Sequence, residues 1–251
     1  MIRIGLIGFG KAGKAAAHVI LNNPKFELAW VMRKSNRAQG NLVTDQLGLN
    51  QAAATKIVSA EDVTPAQLFQ QEPVDVIIDF SHETGIYQYG KAAAEKGIKI
   101  ISAISHYSSE TAAYLHELAK KTTVFWSPNI TLGINYLMYA AKFLKKIAPW
   151  VDVEIIEEHF KQKTGVSGTA LKLAEALDLH PQQINSIRAG GIVGKHEVIF
   201  GFPYQTVRLV HESITREAFG NGALFAAEQI QHKPAGFYTF DDIMKPFFRA
   251  H

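Results

Sequence analysis

His159 and Lys163 stand four residues apart, and Ser167-Gly168-Thr169 follows within the same stretch, EEHFKQKTGVSGTA. An imidazole is the side chain whose proton is exchangeable near neutral pH, and an ammonium neutralises an anion beside it. Ser-Gly-Thr before an apolar helical pattern marks a helix start, where free N–H groups and the positive end of the dipole receive a carboxylate or phosphate. The hydroxyls of Ser167 and Thr169 are expected to serve as further donors. Alone, the His/Lys pair also fits a structural histidine beside a solvated lysine. The helix start brings proton donor, cation and anion cradle into one place, which suits protonation of an anionic substrate.

A second stretch, GFGKAG, places Gly8, Gly10 and Gly13 at G-x-G-x-x-G spacing. Before it, Ile2, Ile4, Leu6 and Ile7 make a short apolar run, and after it Ala16, Val19 and Ile20 recur at helical spacing. In a strand-turn-helix unit, one such glycine makes the turn, one lets backbone N–H groups approach a pyrophosphate, and one allows close packing of helix on sheet. The pattern predicts a dinucleotide site contributed by Gly8, Phe9, Gly10, Lys11, Ala12 and Gly13. About 20 residues on, where an acidic residue would bind a ribose 2′-hydroxyl, stand Arg33 and Lys34. Two cations favour a 2′-phosphate, so NADPH is expected over NADH, with NADH use left open. A solvated basic strand end is the alternative reading.

Further strands are expected over residues 26–32, 74–80 and 99–103, with a helix over 87–96. Near-continuous apolar strands alternating with helices imply a Rossmann-like parallel sheet covered on both faces. Beyond Pro128 the rhythm changes. A helix over 134–147, a strand over 151–156 and a helix over 167–177 precede strands over 184–188, 197–202 and 206–211, and a last helix spans 216–231. Successive strands without intervening helices imply an α+β unit with an antiparallel or mixed sheet, and a domain boundary near Pro128.

The chain has 251 residues, enough to bury a core in one large domain or two small ones. With 26 Lys+Arg against 23 Asp+Glu and no long basic run, it lacks a nucleic-acid footprint. It has no cysteine, which rules out disulfides, thiolate metal sites and a cysteine nucleophile and suits a cytoplasmic location. The apolar start is interrupted by Gly8, Gly10, Lys11, Gly13 and Lys14, so no targeting or membrane segment is expected. No metal site is expected either.

The chain resembles the dihydrodipicolinate reductase family. The likeness is carried by Glu157-x-His159-x-x-x-Lys163 with Ser167 to Ala170, by the glycine turn, and by Asp79-Phe80-Ser81. It continues through SPNITLGIN (127–135), SIRAGGIVGKHEVIF (186–200) and SITREAFGNGALFAA (213–227). The resemblance implies a dinucleotide-binding domain over 1–128 and 217–251 and a substrate-binding and oligomerisation domain over 129–216. It implies NAD(P)H-dependent reduction of 4-hydroxy-tetrahydrodipicolinate in lysine and diaminopimelate biosynthesis, by a homotetramer built through the substrate-domain sheets. His159 would donate or relay the proton, and Lys163 would bind or protonate the small cyclic dicarboxylate. Ser167, Gly168 and Thr169 would hold one of its carboxylates. Phe80, Ser81, Ser102, Ala103, Ile104, Ser127 and Asn129 would line the cofactor site.

Three stretches depart from the family pattern: Phe160 where a second histidine is frequent, Gly165 in a shortened loop where aspartate is usual, and Ser102-Ala103-Ile104-Ser105 in place of Gly-Thr-Thr-Gly. Arg188 and Arg216 are further candidates, with Arg216 expected to steady a carboxylate or the domain interface and an ordinary salt bridge as the alternative reading. His196 and His211 read as structural. Two rival readings remain: a sugar dehydrogenase of similar plan, which would carry a lysine after the KIISAIS strand, and a non-catalytic NADPH sensor, which would have little use for His159 and Lys163.

Overall fold

The computed structural model describes residues 1–36, 38–50 and 54–248. In chain order its elements are β1 (Ile2–Ile7), α1 (Lys11–Leu21), β2 (Phe26–Arg33), α2 (Val43–Leu47), β3 (Lys56–Ser59), α3 (Pro65–Gln71), β4 (Val76–Asp79), α4 (Ile86–Glu95), β5 (Lys99–Ser102) and α5 (Ser109–Ala119). They continue with β6 (Thr123–Trp126), α6 (Leu132–Ile147), β7 (Asp152–His159), α7 (Gly168–Ala176), β8 (Ile184–Arg188), β9 (Lys195–Phe202), β10 (Gln205–Glu212), α8 (Glu217–Ile230), β11 (Gly236–Tyr238) and α9 (Phe240–Met244). Two compact units result, one from Met1–Thr131 with Phe219–His251 and the other from Leu132–Ala218. The first division falls at the start of α6, three residues past Pro128.

The first unit holds a seven-stranded sheet in the order β11-β6-β5-β4-β1-β2-β3, with every pairing parallel. All four residues of β4 are buried, as both-face coverage requires. The chain builds outward from β1 through β2 to β3 and then crosses to β4 on the other side of β1. That reversal opens a crevice at the carboxyl ends of β1 and β4, where ligands bind in sheets of this kind. After the second unit the chain returns. A Cβ at Gly220 on α8 would lie 2.9 Å from Val19 Cβ and 3.0 Å from Ala16 Cα, so α8 packs on α1 at close range. Three residues, β11, then extend the sheet beside β6.

The second unit is a mixed four-stranded sheet, β10-β9-β7-β8, with β7 and β8 parallel and the other pairs antiparallel. Alternation along β7 sends Val153, Ile155, Glu157 and His159 to one face and leaves Asp152 and Glu154 exposed on the other. The inner face receives α6 and α7 through Ile134, Leu137, Ala141, Leu173 and Ala174, packed with Val153, Ile155, Val198 and Phe200. β7 runs three residues beyond the expected strand over 151–156. Glu157, Glu158 and His159 keep pairing with Ser186, Ile187 and Arg188 of β8, which makes His159 a strand residue.

Candidate active site

At the crevice of the first unit, Gly8 adopts φ +90°, and a Cβ there would come within 2.7 Å of the Phe80 carbonyl and the Ser81 nitrogen. A Cβ at Gly13 would lie 2.0 Å from the Gly8 oxygen. Both positions therefore demand glycine for the turn itself. Gly10 is different: no atom lies within 4 Å of the place its Cβ would take, and it sits at the N-terminus of α1 with no side-chain cap. Open backbone at a helix start is what close approach of a pyrophosphate needs. A cavity of about 520 Å³ lies over this turn, bordered by Gly8, Phe9, Gly10, Phe80 and Ser81, with Arg33, Lys34 and Glu61 also on its wall. A neighbouring cavity of about 390 Å³ takes in Ala12, Phe80, Ser81, Ala103, Ile104 and Ser105.

Beneath these walls runs a buried polar layer. The Asp79 carboxylate, wholly buried, accepts hydrogen bonds from Ser81 N at 2.7 Å and Tyr89 Oη at 2.8 Å, which fixes the turn after β4. Burial pushes its pKa up against those hydrogen bonds. Ser102, paired with Asp79 across the strands, is wholly buried and hydrogen-bonds Tyr107 Oη at 2.7 Å.

In the second unit, β7, β8, β9 and α7 converge on one carboxylate. Glu157 is wholly buried. Its Oε2 lies 2.5 Å from His159 Nδ1 and accepts from Arg188 Nη1 at 3.0 Å. Its Oε1 accepts from Ser186 Oγ at 2.6 Å, from Arg188 Nη2 and from the backbone N–H of Ser167 at 3.3 Å. Burial alone would raise this carboxyl, but the hydrogen bonds from Arg188, Ser186 and His159 win and hold it at about 2. His159 is 8% exposed. Its pKa is lowered by burial, opposed by Glu157 and reinforced by the charges of Lys163 and Arg188. A Cβ at position 194 would press to 3.1 Å from its Nε2, which explains the glycine there.

Ser167 caps α7 in its usual way, accepting from Ala170 N at 3.0 Å, and its Oγ lies 2.8 Å from His196 Nε2. The His196 ring meets that of His159 edge-on, with centroids 5.2 Å apart. Burial, with further lowering by His159 and His211, takes the His196 pKa to about 3, so it is neutral at physiological pH. Gly165 sits at φ +65°, in the left-handed region that favours glycine, and its carbonyl accepts from Arg188 Nη2 at 2.6 Å.

Comparison with known proteins decides the lineage. A family model described as dihydrodipicolinate reductase, N-terminus, matches residues 2–130, and one described as dihydrodipicolinate reductase, C-terminus, matches residues 130–244. The chain belongs to the dihydrodipicolinate reductase family. The 4-hydroxy-tetrahydrodipicolinate reductase of Caldanaerobacter subterraneus subsp. tengcongensis is 32% identical, over 98% of this chain and 99% of the relative. That of Thermosipho africanus is 34% identical over 72% of this chain and 84% of its own. Among solved structures, dipicolinate-bound dihydrodipicolinate reductase from Paenisporosarcina sp. TG-14 has a TM-score of 0.78 at 23% identity, covering 96% of this chain and 98% of that one. A myo-inositol dehydrogenase from Corynebacterium glutamicum reaches 0.64 at 15%, covering 98% and 93%. That dehydrogenase therefore shares the fold, and it is the match of both halves to the reductase family that separates the chain from it.

Within this dihydrodipicolinate reductase family member, the first unit is a dinucleotide-binding domain of the NAD(P) type. Of the residues expected at the cofactor, Gly8, Phe9, Gly10, Ala12, Arg33, Lys34, Phe80, Ser81, Ala103 and Ile104 border the two cavities. Gly13 serves the turn, and Lys11 is exposed at the start of α1. Ser102 lies under the cavity wall with its hydroxyl bonded to Tyr107, and the buried Ser127 hydroxyl donates to the Asn129 carbonyl at 2.6 Å. Asn129 itself accepts from Thr131 N and Oγ1. The Ser167 hydroxyl lies 2.8 Å from His196 Nε2 and accepts from Ala170 N as the cap of α7. Gly168 is exposed and Thr169 half-buried at the first turn of α7.

Sequence reading did not find the roles of Glu157, Ser186 and His196 in this cluster. One signal was present: Glu157 stands two residues before His159, so on a strand both face the same way. Arg188 is an ion-pair partner, itself half-buried and paired with the wholly buried Glu157. Arg216 is exposed.

Proposed function

We propose that this protein reduces 4-hydroxy-tetrahydrodipicolinate to tetrahydrodipicolinate with NADPH, releasing water, as a step of lysine and diaminopimelate biosynthesis. The observation that carries the reading is the buried Glu157–His159 pair set beside Lys163 and the start of α7. A flat ring with two carboxylates fits this arrangement. One carboxylate is received at the start of α7, by Gly168 and Thr169, and Lys163 neutralises charge on the ring. His159 then supplies the proton to the carbon beside the one reduced. The bound nicotinamide supplies the hydride, and Gly8 to Gly13 with Phe80, Ser81, Ala103 and Ile104 would orient it.

A dianion held next to His159 favours the imidazolium, offsetting the lowering by burial, Lys163 and Arg188, so the substrate helps charge its own proton donor. The wider reading is a cytoplasmic homotetramer built through the four-stranded sheets. Their face away from α6 and α7 carries exposed Val210 and Ile187 among the ion pairs Lys195–Glu158 and Arg208–Glu197.

The test is steady-state oxidation of NADPH with freshly generated 4-hydroxy-tetrahydrodipicolinate. Turnover with one tetrahydrodipicolinate formed per NADPH supports the reading. Tight NADPH binding without turnover would identify a nucleotide-binding protein that has lost the reaction. In the same assay Arg33→Asp is expected to raise KM for NADPH about tenfold or more while changing that for NADH less than about threefold, because only NADPH has a 2′-phosphate to lose a charge partner. Equal changes for both cofactors would show that Arg33 does not meet the 2′-phosphate. Glu61 on the same wall would work against that phosphate, which leaves room for NADH.

A further inference from the structure

We propose that Glu157 is the positioning residue of this reductase: one buried carboxylate sets which imidazole nitrogen of His159 carries the reactive proton and ties that ring to the helix start that receives the substrate. The inference rests on the reading of His159 as proton donor.

The argument is one of hydrogen-bond inventory. Arg188 Nη1 and Nη2 and the backbone N–H of Ser167 have no acceptor capacity, and all three point at Glu157. The Ser186 hydroxyl donates to it as well. A protonated Glu157 would set its own O–H against these donors, so the group is a carboxylate. His159 Nδ1, 2.5 Å from Oε2, must then be the donor in that contact. A neutral ring is therefore the Nδ1–H tautomer with its lone pair at Nε2, and the charged ring carries its second proton at Nε2. No hydrogen bond from Nε2 exists among the described residues, and the atom lies beside Gly194, where no side chain intervenes. When His159 acts, the N–H bond at Nε2 breaks, the proton joins the electron pair of the substrate double bond, and the ring returns to neutral with Nδ1–H still on Glu157. Solvent restores the Nε2 proton.

The same carboxylate sets the surroundings. Arg188, held to Glu157 by both terminal nitrogens, also donates from Nε to the Lys163 carbonyl at 3.1 Å and from Nη2 to Gly165. The loop that bears Lys163, the start of α7 at Ser167 and the His159 ring are all referred to Glu157. The charged and titratable groups around the ring are Glu157, Arg188, Lys163 and His196.

The experiment is long-range ¹H–¹⁵N correlation NMR of the whole protein labelled with ¹⁵N-histidine. Neutral His159 is expected as the Nδ1–H tautomer, and finding it as Nε2–H would overturn the proposal. Because this readout needs no turnover, a correct tautomer in a protein that does not reduce the substrate would sink the function and leave the positioning intact. In Glu157→Gln, the donor-only Arg188 would claim the amide oxygen and turn the NH₂ group toward Nδ1. The proton should then move to Nε2, and kcat should fall about 10²- to 10⁴-fold in folded protein. Glu157→Asp, which keeps the charge, should restore the Nδ1–H tautomer and part of kcat. If Glu157→Gln fails to fold, the wild-type tautomer and the Asp variant decide the matter. Folded Glu157→Gln with the wild-type tautomer and kcat would reduce Glu157 to a structural ion-pair partner.

Discussion

His159→Gln is expected to lower kcat about 10²- to 10⁴-fold with KM for the cyclic dicarboxylate changed much less. Glutamine can fill the site and hydrogen-bond, but it cannot carry an exchangeable proton, while the anion-receiving start of α7 stays in place through Ser167 and its cap. The pH profile provides the sharper check. The reaction needs the imidazolium, so the rate falls as pH rises through the pKa of His159. In the free protein burial, Lys163 and Arg188 lower that pKa, which places the limb of kcat/KM below the ordinary histidine value of 6.5. A bound dianion raises it, so the limb of kcat should lie at higher pH than that of kcat/KM. Both limbs should vanish in His159→Gln. A variant that keeps either limb would transfer the proton donor to another residue.

Arg188→Ala is expected to destabilise the protein by about 3–5 kcal/mol near neutral pH, because it strands a wholly buried carboxylate without its cation. The sign of its pH dependence follows from the two folded-state pKa values. In the intact protein Glu157 is held at about 2 against an ordinary 4.5, so its stabilisation is fully present above 4.5 and is lost as pH falls toward 2. Without Arg188, the main hydrogen-bond donor opposing burial is gone and the folded pKa rises. The variant then gains stability relative to the wild type as acid protonates its buried carboxyl. Urea unfolding of both proteins at several pH values from 8 to 4 measures this, with the deficit largest at pH 8 and shrinking toward pH 4. A deficit that does not change with pH would mean that Arg188 contributes by packing and its bonds to Lys163 and Gly165 alone.

Glu157 also shows why part of the site was readable and part was not. His159, Lys163 and the Ser167 cap are local in sequence, and local spacing maps directly onto strand alternation and helix starts. The glycine turn was readable from its local spacing, although only Gly13 meets its constraint, the Gly8 oxygen, within the same strand-turn-helix unit, while at Gly8 it comes from Phe80 and Ser81 after β4. The partner of the Ser167 hydroxyl was not readable locally, because a hydroxyl at a helix start has two possible uses and His196 reaches it from β9. Ser102 and Ser127 stand at the carboxyl ends of β5 and β6, and local spacing does not show that their hydroxyls bond Tyr107 and the Asn129 carbonyl.

By itself, then, the order of residues determined the two kinds of sheet, the nucleotide turn and the pairing of a proton donor with an anion-binding helix start. Each of these is written in short-range patterns of residue spacing, although the demand for glycine at position 8 also comes from Phe80 and Ser81 after β4. Only the tertiary structure decided that Arg188, 31 residues from Glu157, closes on it, and that three residues near the C-terminus, β11, join the sheet edge beside β6. Strand register and chain return depend on packing between distant segments, and a partner for a buried charge is set by which strands lie side by side.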